Sequence, residues 1–218
     1  MDAISNFAAR YAHGREEDMS IDEYLAECKR NPMAYATAAQ RMLLAIGEPD
    51  MVDTRDDPQL SRLFANKVIR RYPAFAEFYG MEDAIEQVVS FFRHAAQGLE
   101  ERKQVLYLLG PVGGGKSSIA ERLKYLMQKV PFYALKGSPV NESPLGLFDV
   151  AEDGPVLEEQ FGIPRRYLQH VLSPWAVKRL EEYGGDIRKF RVVKRYPSIL
   201  KQIAVSKTEP GDENNQDI

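Results

Sequence analysis

Cysteine occurs once in the 218 residues, at Cys28, and no Cys-x-x-Cys pair is present. An internal disulfide is thereby excluded, as is a thiolate zinc site, and a reducing compartment fits best. Three histidines, His13, His94 and His170, lie scattered without the spacing of metal ligands. Positive charge is not in excess: 29 Lys and Arg face 32 Asp and Glu, a net charge of -3, so no global basic field advertises nucleic acid or an anionic membrane. No apolar run approaches the ~18 residues of a membrane span. The opening stretch, MDAISNFAARYAHGREED, has neither the apolar core nor the cleavage site of a signal peptide. These absences leave a soluble, cytoplasmic protein as the expectation. Its hydrophobic content of 44% supplies enough material for one or two domains.

Helix signals dominate residues 1–70, which read as a helical N-terminal segment. SIDEYLAECKR offers Ser20 as N-cap with Glu23 three residues on, and Asn31 and Pro32 open a second helix through MAYATAAQRMLLAI that Gly47 stops. The acidic, proline-punctuated EPDMVDTRDDPQL reads as a connector. Residues 71–206 read as a second region, in which helix and strand alternate from Gly80 on. MEDAIEQVVSFFRHAAQG has helical period and ends on Gly98. VLYLL (105–109), apolar at every position, predicts a strand covered on both faces of a parallel sheet. Ile119, Leu123, Leu126, Met127 and Val130 repeat at helical spacing, and PFYAL supplies the next strand, completing a right-handed crossover unit. Beyond it come a long loop, SPVNESPLGLFDVAEDGP, a helical stretch broken near Pro174, and two further strands in RKFRVVKRYP and ILKQIAVSK. Residues 207–218 read as an unstructured acidic tail.

Between the apolar run and the helix after it stands GPVGGGKSS. Gly110, Gly115, Lys116 and Ser117 satisfy G-x-x-x-x-G-K-[ST] in the strand–loop–helix setting that such a motif requires. A chain that wraps an anion must aim successive N–H groups inward, through dihedrals that residues with a Cβ rarely adopt. Gly110, Pro111, Val112, Gly113, Gly114 and Gly115 therefore predict a phosphate-binding arc closed by the positive end of a helix. Lys116 is expected to bridge the β- and γ-phosphates of a nucleoside triphosphate, and the Ser117 hydroxyl to ligate Mg²⁺. Ser118 either caps the helix or touches the α-phosphate. Tyr79 and Gly80 stand where an adenine is often gripped, or are a core tyrosine and a turn glycine.

The second acidic motif of a working triphosphatase, an apolar strand ending in Asp or Glu, is not found. LGLFDV, ending at Asp149, is the nearest imitation, but too few residues separate it from PFYAL for a crossover helix. The glycine-rich loop, H-R-D and D-F-G of the protein-kinase fold are also missing from these residues. Arg165 and Arg166 qualify as trans-acting arginines by composition alone and read more simply as a solvated helix start.

YLLGPVGGGKSSIAERLK, SPVNESPLGLF and FYGMEDAIEQVVSFFRHAAQGLEERKQVLYLLGP together resemble the N-terminal AAA region of the bacterial PrkA-type serine protein kinases, over residues 22–203. The resemblance implies an α/β fold: an AAA-type P-loop NTPase with a parallel sheet flanked by helices. It implies ATP as nucleotide, protein serine phosphorylation as activity, a protein substrate, and a link to stress responses. Members of that family are longer, with a kinase-like part after the AAA region, so the chain is expected to be an N-terminal fragment or truncated product. AAA relatives also assemble into rings, which makes further copies of the chain possible partners.

Two activities compete: an ATP-binding module of a serine kinase, and a mechanical ATPase that remodels proteins or feeds them to proteolysis. SPVNESPLGLF is either a substrate-gripping loop or an ordered surface loop. The basic run Arg188, Lys189, Arg191, Lys194, Arg195 and Lys201 reads more readily as the solvated face of strands than as a nucleic-acid track.

Overall fold

The computed structural model describes residues 17–99, 103–111, 113–168 and 171–197. ILKQIAVSK and the acidic tail lie outside these residues. Backbone contacts divide the chain into two units, one formed by the residues up to Arg41 with Pro131–Tyr196, the other by Met42–Val130.

In the first unit the Ser20 signal works as a reciprocal capping box. Its hydroxyl accepts from the Glu23 N–H at 3.1 Å, and its own N–H donates to the Glu23 carboxylate at 2.6 Å. Helix α1 (Ile21–Arg30) starts there and buries Ile21, Tyr24, Leu25 and Cys28. The single helix expected from Asn31 to Gly47 is two elements. A 3₁₀ turn spans Pro32–Tyr35, and α2 (Ala38–Ile46) restarts behind a second reciprocal cap, in which Thr37 and Gln40 exchange bonds of 2.8 and 3.3 Å. The sequence T-A-A-Q is itself a capping box, so the break has a local cause.

Strands β1 (Glu17–Ser20), β4 (Phe132–Leu135) and β5 (Arg191–Arg195) form one sheet in the order β1-β5-β4. Both pairings are antiparallel, with Ala134 opposite Val193. This corrects the expected parallel sheet. PFYAL takes its backbone partners from a strand almost sixty residues downstream, so no right-handed crossover unit forms among the described residues. The core of this unit gathers Tyr24, Tyr133, Leu135, Leu145, Ile163, Leu168, Phe190 and Val192. Helix α6 (Gly154–Phe161) follows the SPVNESPLGLF loop, and Pro174 begins α7 (Pro174–Glu182) rather than breaking a helix, because the Ser173 hydroxyl caps it.

In the second unit the supposed connector is structured. Strands β2 (Asp50–Asp53) and β3 (Val68–Arg71) pair antiparallel. Between them α3 (Pro58–Phe64) starts at Asp57, whose carboxylate accepts the Gln59 and Leu60 N–H groups. Leu60, Phe64 and Ile69 make a small core of their own. The larger core packs Ile85, Val88 and Val89 of α4 (Glu82–Gln97) with Ile119, Leu123 and Leu126 of α5 (Lys116–Met127). As the helical period requires, the polar faces of both helices point away from it.

The VLYLL run is extended but belongs to no strand among the described residues. Leu106 and Leu108 pack on the larger core, while Val105, Tyr107 and Leu109 are 88%, 76% and 80% exposed. Burial on both faces is thus corrected to burial on one: alternate side chains turn to opposite sides of an extended chain, and only one side meets the core.

Candidate functional site

The glycine segment leads from this extended run into α5. Gly113 and Gly115 hold φ angles of +80° and +73°, the left-handed region that side chains rarely enter. Nothing stands within 4 Å of where a Gly113 Cβ would lie, so that glycine answers to backbone curvature alone. The Gly114 N–H donates to the Pro111 carbonyl at 3.2 Å, closing a tight turn, and the Ile119 N–H donates to Gly115 at 2.9 Å as the first helical bond. Gly115 occupies the N-cap position and has no side chain to cap with. The first-turn N–H groups of α5, from Lys116 through Ser118, have no intrahelical acceptors, and no acidic side chain stands in that turn to offset the helix dipole. Such a helix head is suited to an anion.

Lys116 folds over the arc. Its ammonium donates to the Gly110 carbonyl at 2.8 Å and to the Pro111 carbonyl at 2.5 Å. Ser117 and Ser118 are exposed in the first turn. Because Gly115 takes the cap position with no side-chain bond, Ser118 does not act as the cap. Val112 lies outside the described residues. Among the described residues no group of His, Cys, Asp or Glu is arranged to hold a metal. A magnesium ion here would rest on the Ser117 hydroxyl and on phosphate oxygens, a donor set that suits an ion binding largely through its nucleotide.

Tyr79 and Gly80 sit just before α4. Tyr79 is exposed, with the Arg71 guanidinium 5.9 Å from its ring centroid, so it is not the core tyrosine that was one of its two readings. Gly80 turns the chain at φ +76°. Sequence reasoning did not single out Met81, the next residue, whose thioether lies against Gly115; its position after a turn glycine carried no signal of this. Arg122 of α5 adds a second tie to the same region, donating to the Ala74 carbonyl at 2.6 Å and pairing with Glu77 at 3.3 Å.

Nearby, Glu86 of α4 accepts from the Tyr72 hydroxyl at 2.6 Å and from Arg70 at 2.7 Å, with Arg93 reaching the same hydroxyl at 3.1 Å. Burial pushes the Glu86 carboxyl upward, but the bonds from Tyr72 and Arg70 and the charges of Arg70 and Arg93 outweigh it, leaving the group below its ordinary range.

The remaining sequence candidates are occupied elsewhere. The Asp149 carboxylate accepts the Ala151 and Glu152 N–H groups at 2.7 and 3.0 Å, a turn-building role. Arg165 pairs with Glu158 at 3.1 Å and Arg166 lies over the Tyr167 ring. Within the basic run, Arg188 pairs with Asp186, Arg191 with Asp18, and Arg195 donates to Asn141. Lys201, His13 and His170 lie outside the described residues. No described helix is long and apolar enough to cross a membrane.

Comparison with known proteins agrees with the loop and helix geometry. Residues 19–218 match the PrkA AAA domain. The whole chain is 63% identical over 222 residues to the serine/threonine kinase YeaG of Escherichia coli strain K12, covering 34% of that protein. Over 94% of its length it is 32% identical to the ATP-dependent protease PrkA of Bacillus subtilis strain 168, covering 32% of it. The chain thus spans about a third of the length of these curated relatives. No solved structure matches it significantly. With a nucleotide-type loop at the head of α5 and a match across nearly all its residues, the chain belongs to the PrkA AAA domain family, and ATP binding is what that membership implies.

Proposed function

We propose that the chain is the MgATP-binding module of a protein serine kinase. The carrying observation is the arc from Gly113 to Gly115 at the uncapped head of α5. Amides curved in this way, with the helix dipole behind them, hold a polyphosphate in place of the acidic side chains that commonly stabilise a helix start. Lys116 exchanges its carbonyl partners for β- and γ-phosphate oxygens, and the Ser117 hydroxyl joins the magnesium shell. When bound, the ion neutralises charge on the phosphates. Gly110, Pro111 and Ser118 line the same loop, into which Val112 falls by sequence, and Tyr79 and Gly80 flank the base. The acceptor is a serine hydroxyl of a protein substrate, and the phosphoryl-transfer machinery comes from sequence outside the described residues. Copies of the chain assembling in an AAA-type ring in the cytoplasm complete this reading, which the name of the E. coli relative supports.

A second reading has its own support in the name of the Bacillus relative: an AAA-type ATPase that drives proteolysis. γ-Labelled ATP and a panel of bacterial proteins, incubated with the complete protein that carries this domain, separate the two. Label on serine that disappears with Lys116→Ala supports the kinase. ATP-dependent loss of substrate without label replaces it with the proteolytic reading.

A further inference from the structure

A Cβ on Gly115 would fall 2.9 Å from the Met81 sulfur and 3.0 Å from its methyl carbon, tighter than nearly all real Cβ contacts. The thioether therefore rests directly on the glycine that caps α5. Met81 has its backbone fixed at this position. It is the N-cap residue of α4, its carbonyl accepts the Ile85 N–H at 2.9 Å, and its side chain packs against the larger core. The segment before it is clamped to α5 by Arg122, through the Ala74 carbonyl and Glu77. Met81, at the head of α4, thus meets the last glycine of the loop at the head of α5, and Arg122 in the middle of α5 holds the segment that precedes α4.

We propose that Met81 is a positioning residue for the phosphate cradle. Its thioether acts as a wedge that holds Gly115 at positive φ, and so keeps the first-turn amides of α5 in the arrangement a polyphosphate requires. A glycine in an exposed loop has wide conformational freedom when nothing leans on it, and a binding site whose supporting side chains are lost becomes loose without unfolding. Methionine suits the task because an unbranched, polarisable side chain fills the irregular space above a bare backbone. The inference rests on the polyphosphate reading and adds a residue that acts through Gly115.

The test uses the 218-residue chain and two ligands, ATP and inorganic tripolyphosphate, titrated by calorimetry. Because Met81 acts on the cradle and not on the base, Met81→Ala should weaken both ligands equally, by about tenfold. Met81→Leu, which keeps the volume, should stay within about threefold of the parent. Far-UV spectra should be unchanged, and should Met81→Ala fail to fold, Met81→Val takes its place with the same expectations. Unaltered affinities in the truncated variant overturn the proposal. So does loss of ATP binding alone, which would place the thioether against the base, and so does a Leu variant as weak as the truncation. If the parent chain binds neither ligand, the polyphosphate reading itself has failed, a result visible before any variant is made.

Discussion

The Glu142 carboxylate takes both the backbone N–H and the hydroxyl of Ser173, at 2.5 and 2.7 Å, and the same hydroxyl accepts the Ala176 N–H at 3.3 Å. One buried acid in the SPVNESPLGLF loop thereby seats the cap of α7, thirty-one residues away. The inner part of the loop is bracing. Leu145 and Pro144 are among the most buried side chains of their unit, and the Glu142 carbonyl accepts the Leu135 N–H of β4 at 2.8 Å. The loop's tip, by contrast, stays open to solvent, with Val140 65% exposed.

Leu145→Ala should accordingly cost stability and not merely substrate handling. Removing a side chain that is 1% exposed opens a cavity worth about 2–5 kcal/mol. Chemical denaturation measures this; a midpoint equal to the parent's would return the loop to the surface.

Glu86 ties acid stability to the junction of β3 and α4. Its carboxyl lies below its ordinary value of 4.5 when folded, so its contribution is complete above that pH and is lost as pH falls through the lowered native value. The ion pairs are partly solvated, which limits them to about 1 kcal/mol or less. Comparing the parent with Glu86→Gln, the stability gap should be constant from pH 7 to 5 and should close below 4.5. A gap that persists to pH 3 would contradict the assignment.

Cys28 should be chemically silent. It is buried beside Tyr24, and burial pushes its thiol up to about 12. At pH 8 the thiolate fraction is on the order of one part in ten thousand. A disulfide reagent should find no reactive thiol in the folded chain and one after denaturation, and rapid labelling of native protein would show that the α1 face opens.

Lys116→Ala removes the cation that spans the loop. ATP affinity should fall at least about tenfold, the usual scale for a charge-assisted phosphate contact, while the fold persists because, among the described residues, the side chain bonds only to the loop's own carbonyls. Equal affinity in a titration would move the nucleotide elsewhere.

What could be read in advance was whatever depends on neighbours in sequence. The Ser20–Glu23 box, the periodic face of α4 with its Gly98 stop, the α5 stripe and the glycine arc are local, and each appears where the spacing places it. Pairing partners were not legible. Whether PFYAL sits beside VLYLL or beside RVVKR depends on contacts between distant segments, and a short apolar run is compatible with either. The β2–β3 ribbon was hidden because its strands are four residues each and carry Asp and Arg in place of an apolar alternation. Thr37–Gln40 is different: its capping box was present in the letters and was overshadowed by the longer helical pattern around it. At the site, the loop residues were legible as a motif, whereas the contacts of Met81 and Arg122 depend on segments distant in sequence.

The ammonium of Lys116 already lies inside the loop, bonded to two main-chain oxygens. On the proposed reading, an arriving polyphosphate would compete for an occupied cation rather than capture a wandering one. The ordering of a long, flexible side chain is settled beforehand, and association exchanges neutral acceptors for anionic ones. On that reading, affinity at this loop would be a difference between two sets of bonds to one nitrogen, so altering how firmly the Gly110 and Pro111 carbonyls hold that nitrogen would tune nucleotide occupancy.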